Sequence, residues 1–125
     1  MTARTVLVID DHGGFRVTAR RVLERDGWTV VGEAVDGRSG LVAAAALAPD
    51  VVLLDIGLPD VDGFEVAERL SQANDAPSIV LISSRDRDAY GDRIPKSRAI
   101  GYLSKTELDG PALRSLVSGA GGPRT

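Results

Sequence analysis

Residues 51–59 have the sequence Val51-Val-Leu-Leu-Asp55-Ile-Gly-Leu-Pro59, and this stretch decides the fold of the chain. Four consecutive aliphatic residues followed by a carboxylate indicate a short strand that is buried on both faces of a sheet. A helix is disfavoured because Gly57 and Pro59 interrupt the chain directly afterwards. Strands of this kind belong to parallel sheets, which bind ligands beyond the carboxyl ends of their strands. Asp55 is therefore either the cap of the following helix or a residue of an active site.

The composition is that of an ordinary globular protein. The chain has 125 residues, of which 43% are hydrophobic and 26% charged, and this suffices for one domain with a core. A formal charge of -3 argues against direct nucleic-acid binding, and no apolar run approaches the ~20 residues of a membrane span. The absence of cysteine excludes disulfides and thiolate metal sites. We therefore expect a cytoplasmic protein that binds neither nucleic acid nor membrane directly.

Strand-like and helix-like segments alternate along the whole chain. Five such β-α units predict a parallel sheet with right-handed crossovers and helices on both faces. The fourth unit is irregular, and between Arg85 and Arg98 we expect one short, mobile helix. Besides the strand at Val51–Leu54, the predicted strands are Thr5–Ile9, Trp28–Ala34, Ser78–Ile82 and Ala99–Leu103, and the other predicted helices cover about 13–26, Leu41–Ala48, Phe64–Ala73 and Ala112–Ser118.

Polar side chains follow four of the predicted strands. Asp10 and Asp11 end the first strand, Asp55 the third, Ser83 the fourth and Lys105 the fifth. The carboxyl ends of parallel strands share one edge of the sheet, so we expect these groups to lie together. Adjacent carboxylates resist ionising together unless a cation neutralises them, and three carboxylates form a hard oxygen site suited to Mg²⁺. With a hydroxyl donor and a lysine added, this edge is typical of phosphoryl transfer, in which a carboxylate can be the nucleophile.

Simpler interpretations of these residues stay open. Asp10 and Asp11 could be exposed turn residues, and His12 is favoured as a surface or capping residue over a metal ligand. Four arginines of the first helix form either an ordinary solvated face or a docking patch for an acidic partner. These arginines are Arg16, Arg20, Arg21 and Arg25.

The same residues resemble the signature of response-regulator receiver domains of two-component signalling. The matching residues are Asp10-Asp11, Asp55-Ile-Gly-Leu-Pro59 with Asp62-Gly63, Ser83 and Lys105, and the similarity covers Arg4 to Ser118. The Asp-Asp-His start and the Gly-Tyr-Leu-Ser-Lys end are most similar to receivers of LuxR-type transcription factors. The resemblance implies a flavodoxin-like (β/α)5 fold, with a five-stranded, doubly wound parallel sheet in the strand order 2-1-3-4-5. It places a receiver domain in residues 1–118 and a flexible C-terminal tail in residues 119–125.

The resemblance also implies roles for individual residues. Asp55 would be the phosphoacceptor, and Mg²⁺ would be held by Asp10, Asp11, Asp55 and the backbone carbonyl of Gly57. No organic cofactor is implied. Two further side chains, Ser83 and Lys105, would bind the phosphoryl group. Tyr102, three residues before the lysine, would be the aromatic switch that rotates inward once the Ser83 hydroxyl has moved.

By this resemblance the chain is a phosphoacceptor switch domain of a two-component system. It would accept a phosphoryl group from a sensor histidine kinase or phosphotransfer protein and change conformation to control an output or partner, with a homodimer as one outcome. It would not be an enzyme beyond self-phosphorylation and self-dephosphorylation. The alternative is a receiver-like module that binds proteins without phosphate. A small-molecule phosphatase is disfavoured, because such enzymes carry an acid/base aspartate where this chain has Gly57.

Three features depart from the family pattern. Thr106 replaces the proline that commonly follows the lysine, and we expect a trans peptide there because a non-proline cis bond costs ~3 kcal/mol. The fourth helix is weak, which makes the usual switch surface atypical. Seven residues follow Ser118, too few for a helix-turn-helix, so we expect either a stand-alone receiver or one excised from a larger regulator.

Overall fold

A five-stranded parallel sheet is the centre of the computed structural model, which describes residues 4–121. The strands are β1 (Thr5–Ile9), β2 (Thr29–Ala34), β3 (Val51–Asp55), β4 (Ser78–Ser83) and β5 (Gly101–Ser104). Their order across the sheet is β2-β1-β3-β4-β5, and every neighbouring pair is parallel. The predicted doubly wound α/β architecture is therefore confirmed.

Helices connect the strands and cover both faces of the sheet. They are α1 (Gly13–Arg25), α2 (Gly37–Leu47), α3 (Gly63–Ser71), α4 (Arg93–Lys96) and α5 (Gly110–Gly121), with a 3₁₀ turn at Arg87–Tyr90 ahead of α4. In the part of the chain that the structure describes, none of these helices is long and apolar enough to cross a membrane.

The sheet separates two apolar cores, which explains why its central strands are continuously apolar. One core contains buried side chains of α2, α3 and α4, and the other contains those of α1 and α5. Successive residues of β3 alternate between them, with Val52 and Leu54 in the first and Val51 and Leu53 in the second. All five residues of β3 are buried, so this strand delivers Asp55 to a site enclosed by both cores.

The helix α2 begins at Gly37, four residues before the predicted start at Leu41. The reason is a capping box between Asp36 and Ser39. The Asp36 carboxylate accepts the Ser39 backbone N–H at 2.9 Å, and the Ser39 hydroxyl faces the Asp36 backbone N–H at 3.4 Å. Asp36-Gly37, a dipeptide typical of turns, is thus the N-terminus of a helix.

A second carboxylate at this N-terminus comes from Asp60, in the loop that follows β3. It accepts hydrogen bonds from the backbone N–H groups of Gly37 at 2.7 Å, Arg38 at 3.0 Å and Val61 at 2.8 Å. Burial would raise the pKa of Asp60, but these donors, with Arg38 foremost, together hold the pKa below its ordinary value. The ionised carboxylate therefore ties the loop after Asp55 to α2.

Asp60→Asn will lower the melting temperature at neutral pH, because an amide accepts hydrogen bonds less strongly and carries no charge for the helix N-terminus. Since folding depresses the Asp60 pKa, its contribution is present above the unfolded-state pKa of about 4 and is lost as the pH falls through the folded-state pKa. Thermal unfolding of wild type and variant between about pH 7 and about pH 3 will show that the difference between their melting temperatures becomes smaller in acid. A gap that does not change with pH would mean that the charge of Asp60 is not what stabilises this contact.

In the second half of the chain, α3 ends at Ser71 and β5 covers Gly101–Ser104, each within two residues of the prediction, and two other elements differ more. The irregular segment holds two short turns instead of one helix, and Gly91 separates them with a positive φ of 56°, which glycine adopts without strain. The last helix runs from Gly110 to Gly121 instead of Ala112–Ser118, and it starts early because the Asp109 carboxylate caps it by accepting the Ala112 N–H at 2.7 Å. It extends into the predicted tail, whose residues 122–125 lie outside the described part.

The loop after β5 closes without the family's proline. The described residues contain no cis peptide bond, so the bond between Lys105 and Thr106 is trans, as predicted. The Glu107 carboxylate accepts the Ser104 N–H at 2.9 Å, and this bond lowers the pKa of Glu107. A glutamate hydrogen bond therefore shapes the turn that holds Lys105.

Candidate functional site

The carboxyl ends of β1, β3 and β5 bring Asp10, Asp55 and Lys105 together, as predicted. Ile9 lies opposite Leu54 in the sheet, so the residues that follow them, Asp10 and Asp55, are also neighbours. Asp10 is completely buried and Asp55 is 4% exposed. One strand separates β5 from β3, and the lysine side chain spans that gap: Nζ lies 2.7 Å from Asp10 Oδ2 and 3.6 Å from Asp55 Oδ2. Two buried carboxylates thus share one ammonium group.

Four side chains at this edge lie close enough together for one metal ion, and we call them the acidic cluster: Asp10, Asp11, His12 and Asp55. One ligand atom from each lies within 4.8 Å of the others. Among the described residues, Asp10 Oδ2 makes no hydrogen bond, and its close partner is the Lys105 ammonium at 2.7 Å. One ammonium group does not neutralise three neighbouring carboxylates, so an excess of negative charge remains at this edge for a metal cation to offset. The hard oxygen donors of the cluster therefore fit Mg²⁺.

Three residues form the exposed rim of the cluster. His12 is the N-cap residue of α1, and its Nδ1 lies 3.2 Å from Asp10 Oδ1 and 3.2 Å from Asp11 Oδ1. Its side chain is 66% exposed, which agrees with the interpretation of His12 as a surface or capping residue. Asp11 is also on the surface, and exposed Gly57 donates its N–H to Asp55 Oδ1 at 3.1 Å. The rim is open to solvent, so an ion and its waters have access.

Burial raises the pKa of Asp55, and the neighbouring Asp10 carboxylate raises it further. The Gly57 N–H and the Lys105 ammonium lower the pKa without offsetting the burial. The charged form of Asp55, which a nucleophile needs, is therefore destabilised in the metal-free chain. A cation in the acidic cluster would relieve that cost.

Asp55→Asn will raise the melting temperature of the metal-free chain at neutral pH, because the amide removes a buried charge. Since folding raises the Asp55 pKa, the contribution of Asp55 to wild-type stability is most favourable below the unfolded-state pKa of about 4 and is lost as the pH rises through the folded-state pKa. The higher melting temperature of the variant will therefore be seen above the folded-state pKa of Asp55 and will disappear in acid. Thermal unfolding in EDTA across this pH range measures it. Added Mg²⁺ should stabilise wild type more than the variant, and a variant less stable than wild type at every pH would contradict the account.

Ser83 lies at the predicted edge, but its hydroxyl is turned towards the following loop. The side chain is buried, Oγ accepts the Arg85 N–H at 3.0 Å, and the Tyr90 hydroxyl lies 2.5 Å away. Neither partner belongs to the acidic cluster. Ser83 must therefore change its contacts before it can bind a group on Asp55.

Tyr102 is already in an inward orientation. Its ring is 5% exposed, its hydroxyl donates to the Arg85 carbonyl, and the Arg87 guanidinium lies 5.5 Å from the ring centroid. Burial raises the pKa of Tyr102, and the nearby Tyr90 adds to this. The Tyr102 ring already lies in the space beside β4. This structure therefore does not show the outward orientation from which the expected inward rotation would begin. Its role as a switch residue stays a prediction.

Two aromatic residues at the site were not predicted as part of it. The Lys105 ammonium lies 4.7 Å from the centroid of the Phe15 ring, a cation–π contact that supports the lysine from the side of α1. Phe15 falls at the helical spacing of an ordinary apolar residue of the first helix, so the sequence does not distinguish a core residue from one that contacts the lysine. Tyr90 did carry a signal, since it is one of two tyrosines and stands in a charged segment with little apolar periodicity.

The arginines of α1 are partly committed to contacts within the chain. Arg16 and Arg20 both pair with Glu33 on β2, at 3.1 and 2.9 Å. Arg16 also donates to the Asp10 backbone carbonyl at 2.6 Å, which links α1 to the acidic cluster. Arg21 and Arg25 are exposed. Fewer than four arginines of α1 are therefore available for the alternative role, a docking patch for an acidic partner.

The acidic cluster, Ser83 and Lys105 lie in a part of the chain that matches a known protein family. The family model of the response regulator receiver domain matches residues 6–117, a range that includes the acidic cluster, Ser83 and Lys105. The chain is a response-regulator receiver domain. Receiver domains are signalling domains that act as phosphoacceptor switches in two-component systems, and the resemblance stated from the motifs is confirmed.

The curated relatives of this receiver are response regulators and transcriptional regulators. The response regulator GacA of Pseudomonas viridiflava is 36% identical over 101 residues, which cover 80% of this chain and 47% of that protein. The transcriptional regulatory protein DegU of Brevibacillus brevis is 34% identical over 113 residues, covering 90% of this chain and 48% of that protein. The receiver thus spans about half the length of the curated relatives it matches.

Solved structures show the same fold. The signal receiver domain of the response regulator NarL from Mycobacterium tuberculosis superposes with a TM-score of 0.86 at 32% identity, covering 98% of this chain and 100% of that one. A LuxR-family two-component response regulator from Aurantimonas gives a TM-score of 0.82 at 27% identity, with 95% and 85% covered. The predicted likeness to LuxR-type receivers is therefore confirmed as well.

Proposed function

We propose that Asp55 of this receiver accepts a phosphoryl group from a sensor histidine kinase or phosphotransfer protein in a Mg²⁺-dependent reaction. The supporting observation is that two buried carboxylates, Asp10 and Asp55, share the Lys105 ammonium where three parallel strands end. The alternative role for Asp55, that of a helix cap, is taken by Asp62, whose carboxylate accepts the Phe64 N–H at 2.7 Å. Asp55 is thus available for chemistry.

Mg²⁺ would be held by Asp10, Asp11, Asp55 and the backbone carbonyl of Gly57, and when bound it would neutralise charge on the phosphoryl oxygens. The excess of negative charge that three neighbouring carboxylates leave beside the single Lys105 ammonium supports this assignment. So does the destabilised charge of Asp55, because a cation nearby would favour the ionised carboxylate.

Four residues of the chain have separate roles in the proposed phosphoryl transfer. A carboxylate oxygen of Asp55 attacks phosphorus, and an acyl phosphate forms as the phosphorus–nitrogen bond of a donor histidine breaks and the imidazole leaves. The Gly57 N–H on Oδ1 fixes the orientation of the attacking carboxylate. Lys105 lies 3.6 Å from Asp55 Oδ2, so a short movement away from Asp10 lets it pair with a phosphoryl oxygen. Ser83 would donate its hydroxyl to a second phosphoryl oxygen.

The same residues argue against the two competing functions. A protein-binding module that works without phosphate does not need a complete set of carboxylates, lysine and hydroxyl at one edge. A phosphatase acting on small molecules needs an acid/base group near the nucleophile, and the residue two positions after Asp55 is Gly57, which has no side chain. We therefore propose catalysis limited to self-phosphorylation and self-dephosphorylation, with a conformational change that controls a partner or a second copy.

The direct test is incubation of the chain with acetyl phosphate and Mg²⁺, followed by intact-mass spectrometry and peptide mapping. The proposal expects one phosphoryl group, located on Asp55, whose formation stops when EDTA replaces Mg²⁺. Beryllofluoride, which mimics the acyl phosphate, should bind in the same Mg²⁺-dependent way. A chain that takes up neither reagent would support the module that works without phosphate.

A further inference from the structure

The Ser83 hydroxyl is held by a residue that the proposed function does not use. Tyr90 places its hydroxyl oxygen 2.5 Å from Ser83 Oγ, while Oγ also accepts the Arg85 N–H at 3.0 Å. Both contacts are with the loop beyond β4, and neither is with Asp55. A hydroxyl has one proton and two lone pairs, so these two contacts use most of its capacity.

The Tyr90 ring also joins three parts of the fold. Its centroid lies 5.9 Å from that of Phe64 on α3, in an edge-to-face arrangement, and 6.3 Å from that of Tyr102 on β5. Tyr90 itself ends the 3₁₀ turn at Arg87–Tyr90. Any movement of its hydroxyl is therefore transmitted to the segment that connects β4 to β5.

A phosphoryl group on Asp55 presents only acceptor oxygens, so Ser83 can bind it only by donating its proton in that direction. Since Oγ already accepts the Arg85 N–H, its single proton can be donated either to Tyr90 or to a phosphoryl oxygen, but not to both. When Ser83 donates to Tyr90, that contact therefore competes directly with phosphoryl binding.

We propose that Tyr90 is a latch: its hydroxyl holds Ser83 away from the phosphoacceptor, and its release frees residues 87–96. The inference rests on the proposed phosphorylation of Asp55. Tyr90 is a positioning residue, since it acts through Ser83 and touches none of the reacting atoms. The latch replaces the inward rotation of Tyr102, which is already buried, as the event that reports phosphorylation to the surface.

The test is Tyr90→Phe, which keeps the ring and removes the hydroxyl. Beryllofluoride affinity at saturating Mg²⁺, measured by ¹⁹F NMR, should increase about fivefold, the factor that one hydrogen bond of ordinary strength supplies. The melting temperature of the unliganded variant should fall, because the same bond stabilises the resting state. A purely structural role lowers stability without tightening binding, so unchanged or weaker binding would overturn the latch.

A double-mutant cycle locates the effect at Ser83. In a Ser83→Ala background Tyr90 has no hydroxyl to hold, so Tyr90→Phe should no longer change beryllofluoride affinity. Arg93→Met is the matched control, because Arg93 ties α4 to α3 through Asp62 at 2.9 Å and through the Phe64 ring at 4.2 Å, away from Ser83. If Tyr90→Phe acts only by loosening residues 87–96, Arg93→Met will increase beryllofluoride affinity as well. Both increases will then persist in the Ser83→Ala background, and this result would refute the latch.

Hydrogen exchange supplies a second readout that does not depend on affinity. Residues 87–96 of unliganded Tyr90→Phe should exchange faster than those of wild type, towards the rate of beryllofluoride-bound wild type. Unchanged exchange in this segment after confirmed beryllofluoride binding would overturn the latch while leaving phosphorylation of Asp55 intact. Absence of Mg²⁺-dependent beryllofluoride binding to wild type would instead refute the proposed function, and the latch with it.

Discussion

Asp55→Asn will abolish stable phosphorylation of this receiver. Asparagine has nearly the same size and shape, so the buried site between the two cores stays filled, but its amide is a far poorer nucleophile than a carboxylate. The yield of phosphorylated chain should fall by roughly a thousandfold or more, the scale of loss seen when a nucleophile is removed. No neighbour can replace Asp55: Asp10 is completely buried against Lys105, and Asp11 lies on the exposed rim.

Intact-mass spectrometry after incubation with acetyl phosphate and Mg²⁺ measures this effect. The matched control is Asp75→Asn, the same substitution at an exposed aspartate between α3 and β4, which should be phosphorylated at the wild-type rate. Thermal unfolding should show Asp55→Asn at least as stable as wild type without metal, so loss of phosphorylation cannot come from loss of folding. Full phosphorylation of Asp55→Asn would move the acceptor to another residue.

Asp10→Asn will have the second largest effect, the loss of Mg²⁺ binding. The amide oxygen can still accept the His12 backbone N–H that the carboxylate now accepts at 2.7 Å, so the start of α1 should be preserved. The variant removes the charge of the most buried ligand. Since changes to groups that only support a ligand weaken metal binding about 10- to 100-fold, loss of the ligand charge itself should cost at least that much. Asp11→Asn should act in the same direction.

Mg²⁺ titrations followed by NMR, together with phosphorylation rates at low Mg²⁺, test this expectation. The melting temperature without metal should stay the same or rise, because repulsion between Asp10 and Asp55 is relieved. His12→Gln is an informative companion variant. With Mg²⁺ bound by oxygen ligands it should leave the affinity unchanged, whereas a loss as large as that of Asp10→Asn would make the imidazole a ligand. Normal phosphorylation of Asp10→Asn at low Mg²⁺ would contradict the assignment of the metal site.

The sequence alone determined the sheet and the edge at which the site lies. Continuous apolar runs such as Val51–Leu54 predict strands that are buried on both faces, and the alternation of strands with helices predicts a parallel sheet. Once the strands are parallel, their carboxyl ends share one edge, so Asp10, Asp55 and Lys105 have to meet there. These inferences succeed because strand and helix periodicity are local properties of the chain.

The ends of elements depended on partners far away in the sequence. The early start of α2 needs Asp60, a carboxylate more than twenty residues later, in addition to its own capping box. At the N-terminal part of α5, Arg114 pairs with Asp26, the residue that follows α1. Local composition favours a turn at Asp36-Gly37, but the contact with the Asp60 carboxylate places these residues at the start of a helix.

Only the tertiary structure decided where the side chains of the site point. Ser83 and Tyr102 were both predicted as site residues, yet the Ser83 hydroxyl is held by Tyr90 and the Tyr102 ring is already buried. A side-chain orientation is the outcome of competing contacts, and the Ser83 hydroxyl contacts Arg85 and Tyr90 of the following loop instead of the acidic cluster. The position of a hydroxyl along a strand follows from the sequence. Which partner it binds follows from packing in three dimensions, because several partners of similar energy lie within reach.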